Sequence, residues 1–175
     1  MSKRLSRTMS YALRHDPSNF GLTLDTDGSV NLNEFADALD VPVQDIIVTV
    51  LSDDKQRFTI HNDRIWANNG HTVKADVPLT PVTTAGYVYH GTKVKFLDSI
   101  ADNGGIEPRQ RNYVHLSTDV ATATDVANRR DGLSVILTID AGKMIEDGLE
   151  LVSSGSAVLA KYVPWEYVVN ISVLR

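Results

Sequence analysis

Several short stretches of the chain carry side chains suited to holding an anion or a polar ligand. Tyr89-His90-Gly91-Thr92 ends a β-prone run and combines an imidazole, a glycine and a hydroxyl. His90 and Thr92 offer hydrogen bonds, and Gly91 lets a ligand approach the backbone. Asp53-Asp54-Lys55-Gln56-Arg57-Phe58 runs five polar or charged residues into a strand. Such a run is either a solvated loop or a mount for Arg57, whose guanidinium grips a phosphate through two parallel hydrogen bonds. Lys3, Arg4, Arg7 and Arg14 fall in the first 15 residues with no acid among them. Arg14 and His15 close a helix, where the dipole favours cations with no ligand at all. His71 is either a plain loop histidine or part of a cleft lining. Pro108-Arg109-Gln110-Arg111-Asn112 is a basic loop.

These residues sit in an ordinary globular chain of 175 residues, 42% hydrophobic and 22% charged. That length suits one domain or two small lobes. A net charge of −5 argues against wholesale coating of nucleic acid, so any anionic partner is gripped locally. The absence of cysteine excludes disulfides and thiolate zinc sites. The five histidines are too dispersed for a metal cluster, and no metal is expected. Met1 to Leu13 is amphipathic, unlike a secretory signal, and no apolar run reaches membrane-spanning length. The expectation is a cytoplasmic, intracellular monomer that does not engage membranes.

The elements that position the candidates follow from periodicity. Leu5, Met9, Ala12 and Leu13 share one helical face, and Asp16-Pro17 ends that helix. Gly21 to Leu24 reads as a strand and Asp25 to Gly28 as a turn. Asn31 and Glu34 resemble a capping box opening a helix with Phe35, Ala38 and Leu39. Gln44 to Leu51 predicts a third helix with Ile46, Ile47, Val50 and Leu51 inward. A hairpin spans Arg57 to Ala67. Three helices and a hairpin is the order of a winged helix. Asn68 to about Thr84 reads as a link between lobes. Beyond it lie the strand into His90, a helix from Lys93, a strand over Tyr113 to Ser117 and a helix capped by Thr118. Strands at Ser134 to Ile139, Leu149 to Val152, Ala157 to Leu159 and Val168 to Val173 complete a mostly β lobe, with a short helix over Ala141 to Asp147. Neither a glycine-rich phosphate loop nor a dinucleotide fingerprint is present.

Five segments in order carry a family resemblance: Leu13-Arg14-His15, Asp54-Lys55-Gln56-Arg57-Phe58, Gly70-His71, Tyr89-His90-Gly91-Thr92 and Arg111-Asn112-Tyr113-Val114-His115-Leu116-Ser117. The chain resembles the NAD-dependent tRNA 2′-phosphotransferases over nearly its whole length. The resemblance implies an α+β protein. It implies a winged-helix RNA-binding lobe over 1–67 joined through 68–84 to an ADP-ribosyltransferase-like, NAD⁺-binding lobe over 85–175. It implies catalytic roles for Arg14, His15, Arg57 and Arg111, and NAD⁺-binding roles for His90, Gly91, Thr92, His115, Ser117 and His71. The implied partners are NAD⁺, consumed as co-substrate, and a tRNA-like RNA carrying a 2′-phosphate, as in tRNA splicing. Asn69 departs from the family's usual glutamine, and Ser154 to Leu159 lacks its usual Asn-Gly and tryptophan. These departures leave the adenosine end of the NAD⁺ site unassigned. Two other readings use the same residues. One is an ADP-ribosyltransferase acting on terminal phosphates or another acceptor, and the other a winged-helix regulator that senses NAD⁺ or RNA.

Overall fold

A computed structural model describes residues 3–174; Met1, Ser2 and Arg175, at the ends of the two expected lobes, lie outside the described residues. The protein is α+β, and the backbone divides into two compact units between Pro78 and Leu79.

The first unit opens with α1 (Lys3–Arg14), which buries Met9, Ala12 and Leu13. A β-turn closes over Asp25 to Gly28, where the Gly28 N–H donates to the Asp25 carbonyl at 2.8 Å. The expected strand before it, Gly21 to Leu24, is irregular backbone. Next come β1 (Val30–Asn31) and α2 (Leu32–Ala38), which Asn31 caps by accepting from the Asn33 and Glu34 N–H groups. The third helix, α3 (Val43–Leu51), turns Ile46 and Thr49 inward. Leu51 faces outward instead, 82% exposed at the last turn. The hairpin is β2 (Phe58–His61) and β3 (Arg64–Ala67). Asn62 and Asp63 both have positive φ at its two-residue turn, as a right-twisted hairpin requires. All three strands pair antiparallel in the order β1-β3-β2. Phe35, Met9, Leu13, Ile46 and Ile65 are fully buried at its centre.

The stretch expected to link the lobes is tied down at both ends. The Asn68 N–H donates to the Arg57 carbonyl at 2.8 Å and that of Thr72 to the Arg14 carbonyl at 2.9 Å. At the far end β4 (Thr80–Pro81) pairs with a later strand.

In the second unit β5 (Tyr87–Lys93) is longer than its β-prone start suggests. It continues through His90, Gly91 and Thr92, so this motif lies within a strand rather than at its end. A short 3₁₀ turn leads into α4 (Leu97–Asp102), followed by β6 (Gly105–Ile106) and β7 (Val114–Leu116). α5 (Val120–Ala127) is capped by Asp119, which accepts from the Thr122 N–H, and not by Thr118 as expected. Ala123 and Ala127 are buried, and Val126 turns outward. The rest comprises β8 (Ser134–Asp140), α6 (Ala141–Glu146), β9 (Leu151–Ser154), β10 (Ala157–Ala160), β11 (Val163–Pro164) and β12 (Val168–Val173). The sheets run β12-β8-β5, β4-β9-β10-β7 and β11-β6. Between them lies a core that includes Val88, Leu116, Leu137, Ile139 and Met144. No helix among the described residues is long and apolar enough to cross a membrane.

Candidate functional site

The first unit gathers Arg14, His15, Arg57 and His71. Arg14 is the last residue of α1, where its charge suits the carbonyl end of the helix. Its carbonyl accepts from Thr72 and Val73 N–H groups at 2.9 and 3.2 Å, which joins the helix end to the segment after β3. Its guanidinium donates to the Arg57 carbonyl at 3.5 Å and lies over the Phe58 ring, 5.9 Å from the centroid. Gly70, at φ +86°, makes the turn beside it. A methyl there would sit 3.4 to 3.5 Å from the guanidinium and Cδ of Arg14.

His15 is exposed, with Nδ1 3.0 Å from the Thr72 hydroxyl. Arg57 enters β2 and pairs with the Asp53 carboxylate. His71 differs from both. It is only 4% exposed, and Nε2 has no hydrogen-bond partner among the described residues. Burial, helped by the charges of Arg14 and His15, lowers its pKa to about 4. A neutral imidazole adds no charge towards an anion.

The second unit holds His90, Thr92, His115 and Ser117. Tyr89 and Ser117 exchange two backbone hydrogen bonds of 2.8 Å, which fixes the end of β7 against β5. His90 Nδ1 lies 3.2 Å from the His115 carbonyl, and His115 Nδ1 lies 3.1 Å from the Tyr113 carbonyl. A carbonyl only accepts, so both rings carry a proton on Nδ1. Burial, with the charge of Arg109, holds the His90 pKa below its usual value, and the His115 carbonyl partly offsets this. Neutral His90 therefore presents Nε2 as an acceptor.

Gly91 has a packing task. A methyl on it would lie 2.0 Å from the Ala123 carbonyl oxygen and 3.0 Å from the Ala127 nitrogen. The space left by the missing side chain is filled by α5. Because side chains alternate along a strand, His90 and Thr92 point to the opposite face.

Arg111 follows a turn closed by its own N–H on the Pro108 carbonyl at 3.0 Å. Burial among its neighbours, then the charges of Arg129 and Arg130, lowers its pKa, although the residue as a whole is exposed. In the same turn Arg109 has φ +48° and stacks on Phe96 at 4.3 Å. Among the described residues no carboxylate pairs with Arg109, Arg111, Arg129 or Arg130.

Sequence reasoning missed Asp53, Thr72 and Arg109 as neighbours of the candidates. Asp53 stands four residues before Arg57 and was legible as a local pair. Nothing in the sequence joins His15 to a threonine 57 positions away.

Arginines held in set directions, beside histidines kept neutral, are groups with which an anion could be held. Comparison with known proteins names the group. Residues 1–160 match the family described as RNA 2′-phosphotransferase, Tpt1 / KptA family. A protein named "Probable RNA 2′-phosphotransferase" from Rhizobium leguminosarum bv. trifolii is 44% identical over 172 residues, covering 95% of this chain and 93% of that protein. Proteins of the same name from Streptomyces griseus and Bacillus thuringiensis are 39% and 34% identical, over 92% and 94% of this chain and 92% of each relative. The chain belongs to this family and is a transferase enzyme.

Proposed function

We propose that this transferase moves an internal RNA 2′-phosphate onto NAD⁺, leaving a 2′-hydroxyl RNA, nicotinamide and ADP-ribose 1″,2″-cyclic phosphate. The observation that carries this reading lies in one unit, where the Arg14 guanidinium reaches the Arg57 backbone carbonyl and the segment bonded to the Arg14 carbonyl carries Thr72 to His15. A phosphate monoester is mostly dianionic at neutral pH. It needs little activation as a nucleophile, but it does need holding, with its charge stabilised as it moves.

In the first step a 2′-phosphate oxygen attacks the anomeric carbon of the nicotinamide ribose, and nicotinamide departs. Arg14 and Arg57 hold the phosphate, and the family resemblance gives Arg111 a catalytic role. Positioning of this kind supplies up to about 7–11 kcal/mol. In the second step the ribose 2″-hydroxyl attacks phosphorus and releases its proton to solvent, and the RNA 2′-oxygen leaves with a proton from His15, an imidazole being able to donate one.

The second unit fits NAD⁺ in its donor set. His90 Nε2 accepts a ligand hydroxyl, with Thr92, His115 and Ser117 beside it, and arginines without carboxylate partners suit a pyrophosphate. We read the first unit as a winged helix and the second as an ADP-ribosyltransferase-type lobe. The order α1-β1-α2-α3-β2-β3 supports the former, and the mostly β second unit supports the latter.

Incubating the protein with NAD⁺ and a 2′-phosphorylated oligonucleotide tests the reading. Release of 2′-hydroxyl RNA and the cyclic phosphate supports it. Stable ADP-ribosylated RNA in its place points to an ADP-ribosyltransferase, and no reaction refutes both.

A further inference from the structure

We infer that Asp53 is the positioning residue for Arg57, setting the direction of its guanidinium as well as the turn that carries it. This rests on the proposed role of Arg57 as a phosphate-holding group.

Asp53 lies two residues beyond the end of α3, and its side chain is wholly buried. A buried carboxylate is costly unless its oxygens are satisfied. Here they are spent on one short segment. Oδ2 accepts from the Arg57 backbone N–H at 2.6 Å, and Oδ1 accepts from the Lys55 N–H at 3.3 Å and from the Arg57 guanidinium. The Asp53 carbonyl accepts from the Gln56 N–H at 3.0 Å, closing a turn in which Gln56 has φ +46°.

One side chain therefore holds both ends of Arg57. A turn alone needs only acceptors for backbone N–H groups, which asparagine or serine provides. The bond to the guanidinium is surplus to the turn. It occupies the Nη1 side of the fork, and with 27% of the Arg57 side chain still exposed, the remaining donors can meet a phosphate. The Arg57 carbonyl also accepts from Arg14, so the same anchored residue touches the second arginine of the cluster.

A double-mutant cycle tests this. Asp53→Asn keeps an acceptor for the turn and removes the charge that fixes the fork. It should lower kcat for 2′-phosphate removal by about 10- to 100-fold, the cost of misplacing a reacting group by an ångström. KM for RNA should stay close to wild type, while Tm should fall by a few degrees, because the amide offers one acceptor where the turn uses two. In an Arg57→Ala background the same change should cost nothing further, because the group it positions is gone. An equal loss in both backgrounds, or a wild-type kcat, would overturn the inference.

A second measurement does not depend on activity. In ¹⁵N spectra of the wild-type protein the Arg57 Nη groups should give separate, slowly exchanging signals. Averaged Nη signals in the wild type would refute the anchoring. A wild-type protein that shows those signals and yet does not process 2′-phosphorylated RNA would refute only the proposed function.

Discussion

Gly91→Ala separates a packing glycine from a ligand-access glycine. The added methyl would lie 2.0 Å from the Ala123 carbonyl oxygen and 3.0 Å from the Ala123 carbonyl carbon and the Ala127 nitrogen. Non-bonded heavy atoms settle at about 3.5–4.0 Å, so α5 must retreat by about 1.5 Å. All three neighbours are helix backbone and cannot rotate away. Retreat lifts Ala123 and Ala127, now 0% and 3% exposed, off Ile136 and Tyr89. Overpacking of this kind costs about 1–3 kcal/mol, and a backbone clash belongs at the upper end. For a chain of this size 3 kcal/mol corresponds to a Tm lower by about 6–12 °C. Gly86 is the control, since a methyl there meets nothing within 4 Å and its φ is not positive. Gly86→Ala should leave Tm within about 2 °C of wild type. Thermal unfolding by circular dichroism reads both, and calorimetric titration with NAD⁺ reads binding. A Gly91→Ala protein with wild-type Tm and lost NAD⁺ affinity would refute the packing argument.

Three further outcomes follow from the site. His71 has its pKa lowered to about 4, so below its unfolded value the folded state binds fewer protons than the unfolded one. Its contribution to stability is present above about pH 6.5 and declines by up to about 1.4 kcal/mol per pH unit as pH falls towards 4, about 3 kcal/mol in all. Urea unfolding at pH 7.5 and 4.5 should show this loss in the wild type and a smaller one in His71→Asn; equal losses would mean that His71 is not held neutral. His15→Ala should let ADP-ribosylated RNA accumulate, visible on a denaturing gel as an RNA of slower mobility. Failure to accumulate it would remove His15 from the second step. Arg111→Lys should lower kcat/KM by at least about tenfold, because an ammonium cannot form the two parallel bonds. Near-wild-type turnover would show that charge alone suffices there.

Local chemistry made much of the fold legible. The α1 face, the Asn31 cap and the Asn62-Asp63 hairpin turn are decided by residues within a few positions of one another, as are the β8 core positions. Misreadings occurred where a distant partner outweighed local preference. Leu51 completes an apolar pattern, but α3 ends there with nothing packed over it, so it is exposed. Gly91-Thr92 looks like a strand end, yet pairing with Ile136 and Val135 carries β5 onward.

The site divides in the same way. By itself the sequence determined which groups are available: arginines whose forks fit phosphate, histidines that titrate near neutrality, and ordered motifs that mark the family. Tertiary structure decided what each group is free to do. It buried His71 and made it neutral, fixed the proton of His90 on Nδ1, and set α5 against Gly91. It also brought Thr72 to His15 across 57 positions. Charge state and direction depend on desolvation and on partners remote in sequence, and these exist only once the chain has folded.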